Sequence, residues 1–164
     1  MTELTHIDAK GKARMVDVAE KGDTLRQAVA VAGVRMKLET LDKIRQQGLK
    51  KGDVLAVARV AGIMAAKRTP YLIPLCHPIL LSNIALDFDF VNDDYIKITA
   101  TVKSSGKTGV EMEALVAVSV SALTIYDMGK AIDRGMSIER IYLKSKTGGK
   151  SGTYIREEGT KPDG

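Results

Sequence analysis

The chain has 164 residues, 45% hydrophobic and 27% charged, with 25 Lys+Arg against 20 Asp+Glu for a formal charge of +5. Such values describe one globular domain and exclude a disordered tail, a collagen-like repeat or a disulfide-built miniprotein. Two Phe, five Tyr and no Trp offer few stacking platforms for single-stranded nucleic acid, while the positive excess suits nucleic acid, a membrane surface or a small polyanion, among which composition does not choose.

Residues 1–14 and 147–164 are polar arms around an apolar centre. Thr24–Met36 mixes alanine with repeated valines and reads as a strand. Leu38, Leu41 and Ile44 recur at helical spacing, with Gly48 as the C-cap. After the turn Lys50-Lys51-Gly52, Asp53 caps a helix from Val54 to Lys67 that is apolar almost all round and so is expected to be buried on several sides. Its lone interior charge, Arg59, would then need an acidic partner or an anionic ligand. Pro70 stops this helix, and with Pro74 and Pro78 predicts an extended connection. Ile84, Leu86, Phe88 and Phe90 alternate with polar residues, as do Ile96, Ile98, Ala100 and Val102 after a turn at Asn92-Asp93-Asp94, which predicts an antiparallel hairpin. Thr108 to Glu111 has the form of a capping box opening a long helix to about Asp133, and a last strand covers Ile138–Lys144. The order predicts an α+β fold in which helices pack on one face of a four-stranded antiparallel sheet, close to the split βαβ plan. The uncovered sheet face and free edges make self-association an expectation.

The single Cys76 excludes an internal disulfide and fits a reducing compartment. The acidic N-terminus lacks a secretory signal's apolar stretch, and no apolar run approaches the roughly 18 residues of a membrane span, so the chain reads as soluble and cytoplasmic. Two stretches imitate a phosphate-binding P-loop, Gly106-Lys107-Thr108 and Gly149-Lys150-Ser151. Thr101 and Lys144 stand where its first glycine belongs, which argues against an ATPase of that type while leaving both turns able to offer N–H groups to an anion. In the extended segment Leu75-Cys76-His77-Pro78, thiol and imidazole should point to opposite sides; no set of metal ligands accompanies them. His6 is expected to face solvent. Glu111 is explained by the capping box, and Glu113 is not. Asp127 and Lys130 share a helix face, either as a surface ion pair or as a carboxylate tuning a partly desolvated lysine for acid-base work. Glu113 and Asp127 are fourteen residues apart, ~21 Å along a helix. If both serve one small ligand, a second subunit must bring one helix's start to another's finish.

Several of these runs, Lys51-Gly52-Asp53-Val54, Ala58-Arg59-Val60-Ala61-Gly62-Ile63, Ala65-Ala66-Lys67-Arg68-Thr69, Leu72-Ile73-Pro74-Leu75-Cys76-His77-Pro78, Gly106-Lys107-Thr108-Gly109-Val110-Glu111-Met112-Glu113-Ala114, Ala122-Leu123-Thr124-Ile125-Tyr126-Asp127-Met128 and Gly148-Gly149-Lys150-Ser151-Gly152, together resemble the cyclic pyranopterin monophosphate synthase family of molybdenum cofactor biosynthesis. Leu4-Thr5-His6-Ile7 and Met15-Val16-Asp17-Val18 fit as well, so the resemblance spans nearly the whole chain. It implies a single catalytic domain over 1–164 with a ferredoxin-like fold, assembled as a homo-hexamer, a trimer of dimers, with sites at a subunit interface. The reaction it implies converts (8S)-3′,8-cyclo-7,8-dihydroguanosine 5′-triphosphate to cyclic pyranopterin monophosphate and releases pyrophosphate. A radical SAM enzyme would supply that substrate, and molybdopterin synthase would act downstream. By motif, Asp127, Lys130 and Lys51 correspond to the catalytic set. Leu75, Cys76, His77, Met112 and Glu113 correspond to substrate contacts, with Arg26, Lys67, Lys146 and Lys150 neutralising the triphosphate. No metal site or cofactor is implied, although Mg²⁺ could accompany the triphosphate. A non-catalytic nucleotide- or RNA-binding module is the alternative from another class.

Overall fold

A computed structural model describes residues 6–49 and 52–157. Five strands, β1 (Thr24–Arg35), β2 (Leu81–Val91), β3 (Tyr95–Gly106), β4 (Ser137–Thr147) and β5 (Tyr154–Ile155), form one antiparallel sheet in the order β2-β3-β1-β4-β5. Four helices accompany them, α1 (Leu38–Arg45), α2 (Val54–Lys67), α3 (Thr69–Leu72) and α4 (Glu111–Gly129).

Strand β1 forms because Ala28, Ala30, Ala32 and Val34 alternate onto the helix-facing side, where they lie opposite Val102, Ala100, Ile98 and Ile96 of β3. The alanines leave room for α4 to pack on β1, β3 and β4, with Ala114, Ala117, Val118, Ala122 and Ile125 turned inward. Helices α2 and α4 run antiparallel in close contact. Ser121 Oγ donates to the Ala58 carbonyl at 2.9 Å, and a Cβ at Gly62 would collide with Ser121 Oγ and come within 2.9 Å of the Ala117 carbonyl oxygen. Only glycine fits that crossing.

The hairpin pairs as the alternation requires, Ile84 with Val102, Leu86 with Ala100, Phe88 with Ile98 and Phe90 with Ile96. Asp53 caps α2, its carboxylate accepting the Ala56 N–H at 3.0 Å.

Other expectations need correction. The sheet has five strands, not four: β4 continues to Thr147 and its free edge pairs with Tyr154–Ile155 out of the expected C-terminal loop. Helix α2 is buried on one side only; Val57, Val60 and Met64 are exposed along its outer face. Arg59 accordingly needs no acid. It lies at the surface, donates to the Leu86 carbonyl at 3.1 Å and stacks over Phe88. The residues after Pro70 are not all extended, because proline is well placed in the first turn of the short α3. At the end of α1 the left-handed residue is Gln47, φ 53°, while Gly48 N–H closes onto the Lys43 carbonyl at 2.8 Å. Helix α4 meets the length and hydropathy of a membrane span, but over half of it is buried in the fold, which explains its apolar composition.

Helix α4 also ends at Gly129, before Asp133. Asp133 leaves the helix to serve α1 instead. At 2% exposure its carboxylate accepts from Lys37 N–H at 3.0 Å, Thr40 Oγ1 at 3.2 Å and Gly135 N–H at 3.0 Å. These bonds, the Lys37 N–H foremost, hold its carboxyl below the usual range despite burial. A carboxyl with a lowered folded pKa contributes stability above its unfolded value of about 3.9, and that contribution is lost as pH falls through the folded value. Asp133→Ala strands the Lys37 and Thr40 donors and should cost about 2–3 kcal/mol, read as a lower thermal midpoint at fixed protein concentration. Asp133→Asn should flatten the acid limb of the stability profile below about pH 4.

Candidate active site

The start of α4 and the connection between α3 and β2 border an open cavity. It measures about 270 Å³ and is lined by Leu75, Cys76, His77, Ile79, Thr108, Gly109, Glu111, Met112, Glu113 and, from the N-terminal segment, His6. Leu75, Cys76 and His77 all line this space, beside a turn closed by Cys76 N–H on the Ile73 carbonyl at 3.1 Å. His6 is exposed, as expected, and borders that space too. No sequence signal beyond its place in the Leu4–Ile7 run pointed to it.

A second, smaller recess adjoins this cavity, sharing Gly109 and Glu111 and lined further by Arg26, Gln27, Lys146, Gly148 and Ser151. Gly148, φ 95°, presses against the Leu25 carbonyl where a side chain would clash. The cleft therefore has a mixed apolar and titratable end and a basic end. Lys150 is exposed in the loop of the basic end, and Lys67 is exposed on the last turn of α2. Neither lines the cleft.

The capping box predicted at Thr108 is not formed. Val110 is the N-cap, without a side-chain bond, and the Glu111 carboxylate, packed against Gly109, accepts from Lys146 Nζ at 2.7 Å. Arg26 is likewise engaged, donating to the Gly106 and Lys107 carbonyls at 2.8 and 3.1 Å. Both cations thus stand at the recess in fixed positions, and a phosphate reaching Lys146 would share it with Glu111.

Glu113, 2% exposed, has its carboxyl pushed up to about 7, first by burial and then by the nearby Glu111 charge, against a backbone hydrogen bond that opposes both. It therefore holds its proton near neutrality and can donate as well as accept. Burial and the Glu113 charge also push the Cys76 thiol up, the reverse of what a thiolate nucleophile needs. Among the described residues, no three His, Cys, Asp or Glu side chains are grouped to hold a metal ion.

Asp127 and Lys130 lie at the far end of α4. They form an ion pair at 2.5 Å, each more than half exposed, so the partial desolvation considered for Lys130 does not occur within one chain. The carboxylate bond raises the Lys130 pKa and keeps the ammonium charged. Lys51 lies outside the described residues.

A family model described as the MoaC family matches residues 15–149. The chain belongs to the MoaC family. Among its relatives are proteins named cyclic pyranopterin monophosphate synthase. That of Desulforamulus reducens is 59% identical over 157 residues, covering 96% of each chain. That of Roseiflexus sp. is 60% identical, covering 96% of this chain and 100% of the relative, and that of Thermoanaerobacter pseudethanolicus is 60% identical, covering 94% and 98%. The MoaC match takes in both ends of α4, the connection carrying Cys76 and His77, and the basic recess up to Gly149.

For an acid whose folded pKa is raised, stability is fully present below the unfolded value near 4.3 and lost as pH rises through the folded value near 7. Glu113→Gln should abolish that slope and raise the thermal midpoint above pH 7 relative to the unsubstituted protein. An unchanged slope between pH 4.5 and 7 would contradict the assignment of the titrating group.

Proposed function

We propose that the chain is a cyclic pyranopterin monophosphate synthase, converting (8S)-3′,8-cyclo-7,8-dihydroguanosine 5′-triphosphate to cyclic pyranopterin monophosphate. The observation that carries this reading is the wall, Gly109 and Glu111, that the cavity and the basic recess share, together with membership of the MoaC family. A cavity of about 270 Å³ bearing the Glu113 carboxyl lies beside a recess bearing Arg26 and Lys146. The rings of the substrate lie against Leu75, Cys76, His77, Met112 and Glu113. Its triphosphate extends toward Arg26 and Lys146, with Lys67 and Lys150 as outer contacts, where charge-assisted bonds to phosphate are strongest. Closing the cyclic phosphate joins a substrate hydroxyl oxygen to the first phosphorus as the bond to pyrophosphate breaks, and fixed cations stabilise the charge that develops on the leaving group.

Lys130 enters as an ammonium held charged by Asp127 and gives up a proton; Lys51 is its counterpart in taking one. For these to meet the cleft, a second subunit brings the far end of its α4 to it. The apolar residues Val57, Val60 and Met64 left open on α2 support burial against another copy, in the homo-hexamer, a trimer of dimers, expected from sequence. The strand order β2-β3-β1-β4, with α1 and α2 between β1 and β2 and α4 between β3 and β4, supports the ferredoxin-like plan, to which β5 is an added edge. The enzyme works in the cytoplasm between a radical SAM enzyme and molybdopterin synthase. It needs no resident cofactor; Mg²⁺ enters as the triphosphate's own counter-ion.

Lys51→Ala and Lys130→Ala should each abolish pyrophosphate release from the cyclised GTP derivative, and pterin fluorescence after oxidation, while the oligomer stays intact. Near-normal turnover in either variant would contradict the acid-base assignment.

A further inference from the structure

The N-terminal segment has regular structure among its described residues. Between residues 6 and 14 it forms a small hairpin, with Ile7 bridged to Ala13. Arg14 N–H donates to the His6 carbonyl, Asp8 N–H to the Lys12 carbonyl and Gly11 N–H to the Asp8 carbonyl, each at 2.9 Å. The Asp8 carboxylate fills the turn, accepting Lys10 and Lys12 N–H, both at 2.9 Å. Gly11 takes the left-handed conformation there, φ 77°. Beyond the hairpin the segment is tied to the site itself. Lys107 Nζ donates to the Ala19 carbonyl at 2.8 Å, and Lys107 is adjacent to Thr108 and Gly109 of the cavity wall. The segment thus starts and ends against the same loop.

We propose that His6 is a further residue of the active site, held at the rim of the cavity by this hairpin to face the substrate's ring system as a hydrogen-bond donor. The inference rests on the function proposed above. Three elements supply titratable groups to one space: Cys76 and His77 from the connection, Glu111 and Glu113 from α4, and His6 from the hairpin. A hairpin held by five bonds of its own brings an imidazole, not an apolar side chain, to the mouth of that space. An imidazole there can hold a ring carbonyl or hydroxyl from the side that neither α4 nor the connection reaches, and Asp8 is the positioning residue that fixes the turn carrying it.

The test is steady-state turnover of the cyclised GTP derivative by the full chain and by His6→Ala, His6→Gln, Asp8→Ala and Asp8→Asn, with thermal midpoints measured alongside. His6→Ala should lose on the order of 10²-fold in kcat with an unchanged midpoint, and added imidazole should restore part of the loss. Asp8→Ala should fall with it, while Asp8→Asn, which keeps an acceptor for the Lys10 and Lys12 N–H groups, should retain most activity. A His6→Ala kcat within twofold of the unsubstituted chain overturns the inference, as does a loss that imidazole does not repair. Absence of turnover in the unsubstituted chain is a different result: it refutes the proposed function, and the role of His6 falls with it.

Discussion

The close crossing of α2 over α4 fixes what a single chain can do. With Gly62 against Ser121 and Ala117, α4 is a rigid rod of 19 residues, ~28 Å long, and neither end can bend toward the other. Its start borders the cavity with Met112 and Glu113, and its finish carries the Asp127–Lys130 pair. The antiparallel run of α2 places Lys67 with the first group and Asp53 with the second. One chain therefore holds two half-sets of functional groups, and the proposed chemistry draws its pocket from one copy and its acid from another.

Electrostatics sorts the carboxyls of the pocket in the same spirit. Glu111 and Glu113 are two residues apart, yet one is paired with Lys146 and the other is buried and keeps its proton to about pH 7. Ionised Glu111 helps to hold Glu113 neutral, and neutral Glu113 can present a hydrogen to a ring atom. A phosphate arriving at Lys146 would compete with Glu111 for its ammonium, so substrate binding at the basic end is coupled to the charge that bears on Glu113. At the other end of α4 the Asp127–Lys130 pair is more than half exposed. Covering it with a second subunit would disfavour the Lys130 ammonium and so ease release of its proton.

Features set by short-range chemistry were legible in the sequence. Asp53 at the head of an apolar run and the strict alternation across Asn92–Asp94 both specify local structure, and both formed as read. Features that depend on what another segment contributes were not. Thr108 does not cap α4, and Glu111 pairs instead with Lys146, which lies thirty-five residues beyond it. Asp133 left its helix because the first turn of α1 needed an acceptor. Arg59 looked buried because the apolar residues around it were assigned to the chain's own core, whereas several stand open on its surface. In the candidate site, Leu75–His77, Met112 and Glu113, singled out by the family motifs, line one cavity, a meeting that local spacing did not reveal. His6, exposed as its polar arm implied, borders the same cavity from a terminal hairpin.

Subunit complementation tests the central claim most directly. Glu113→Ala disables the start of α4 and Lys130→Ala its finish, and the two variants, each inactive alone, can be mixed under conditions that exchange subunits. If each site takes one end of α4 from each of two copies, random pairing restores about a quarter of the unsubstituted activity, since half of the pairs are mixed and each of these has one intact site. Activity that stays at the level of the separate variants after verified exchange would contradict a shared site.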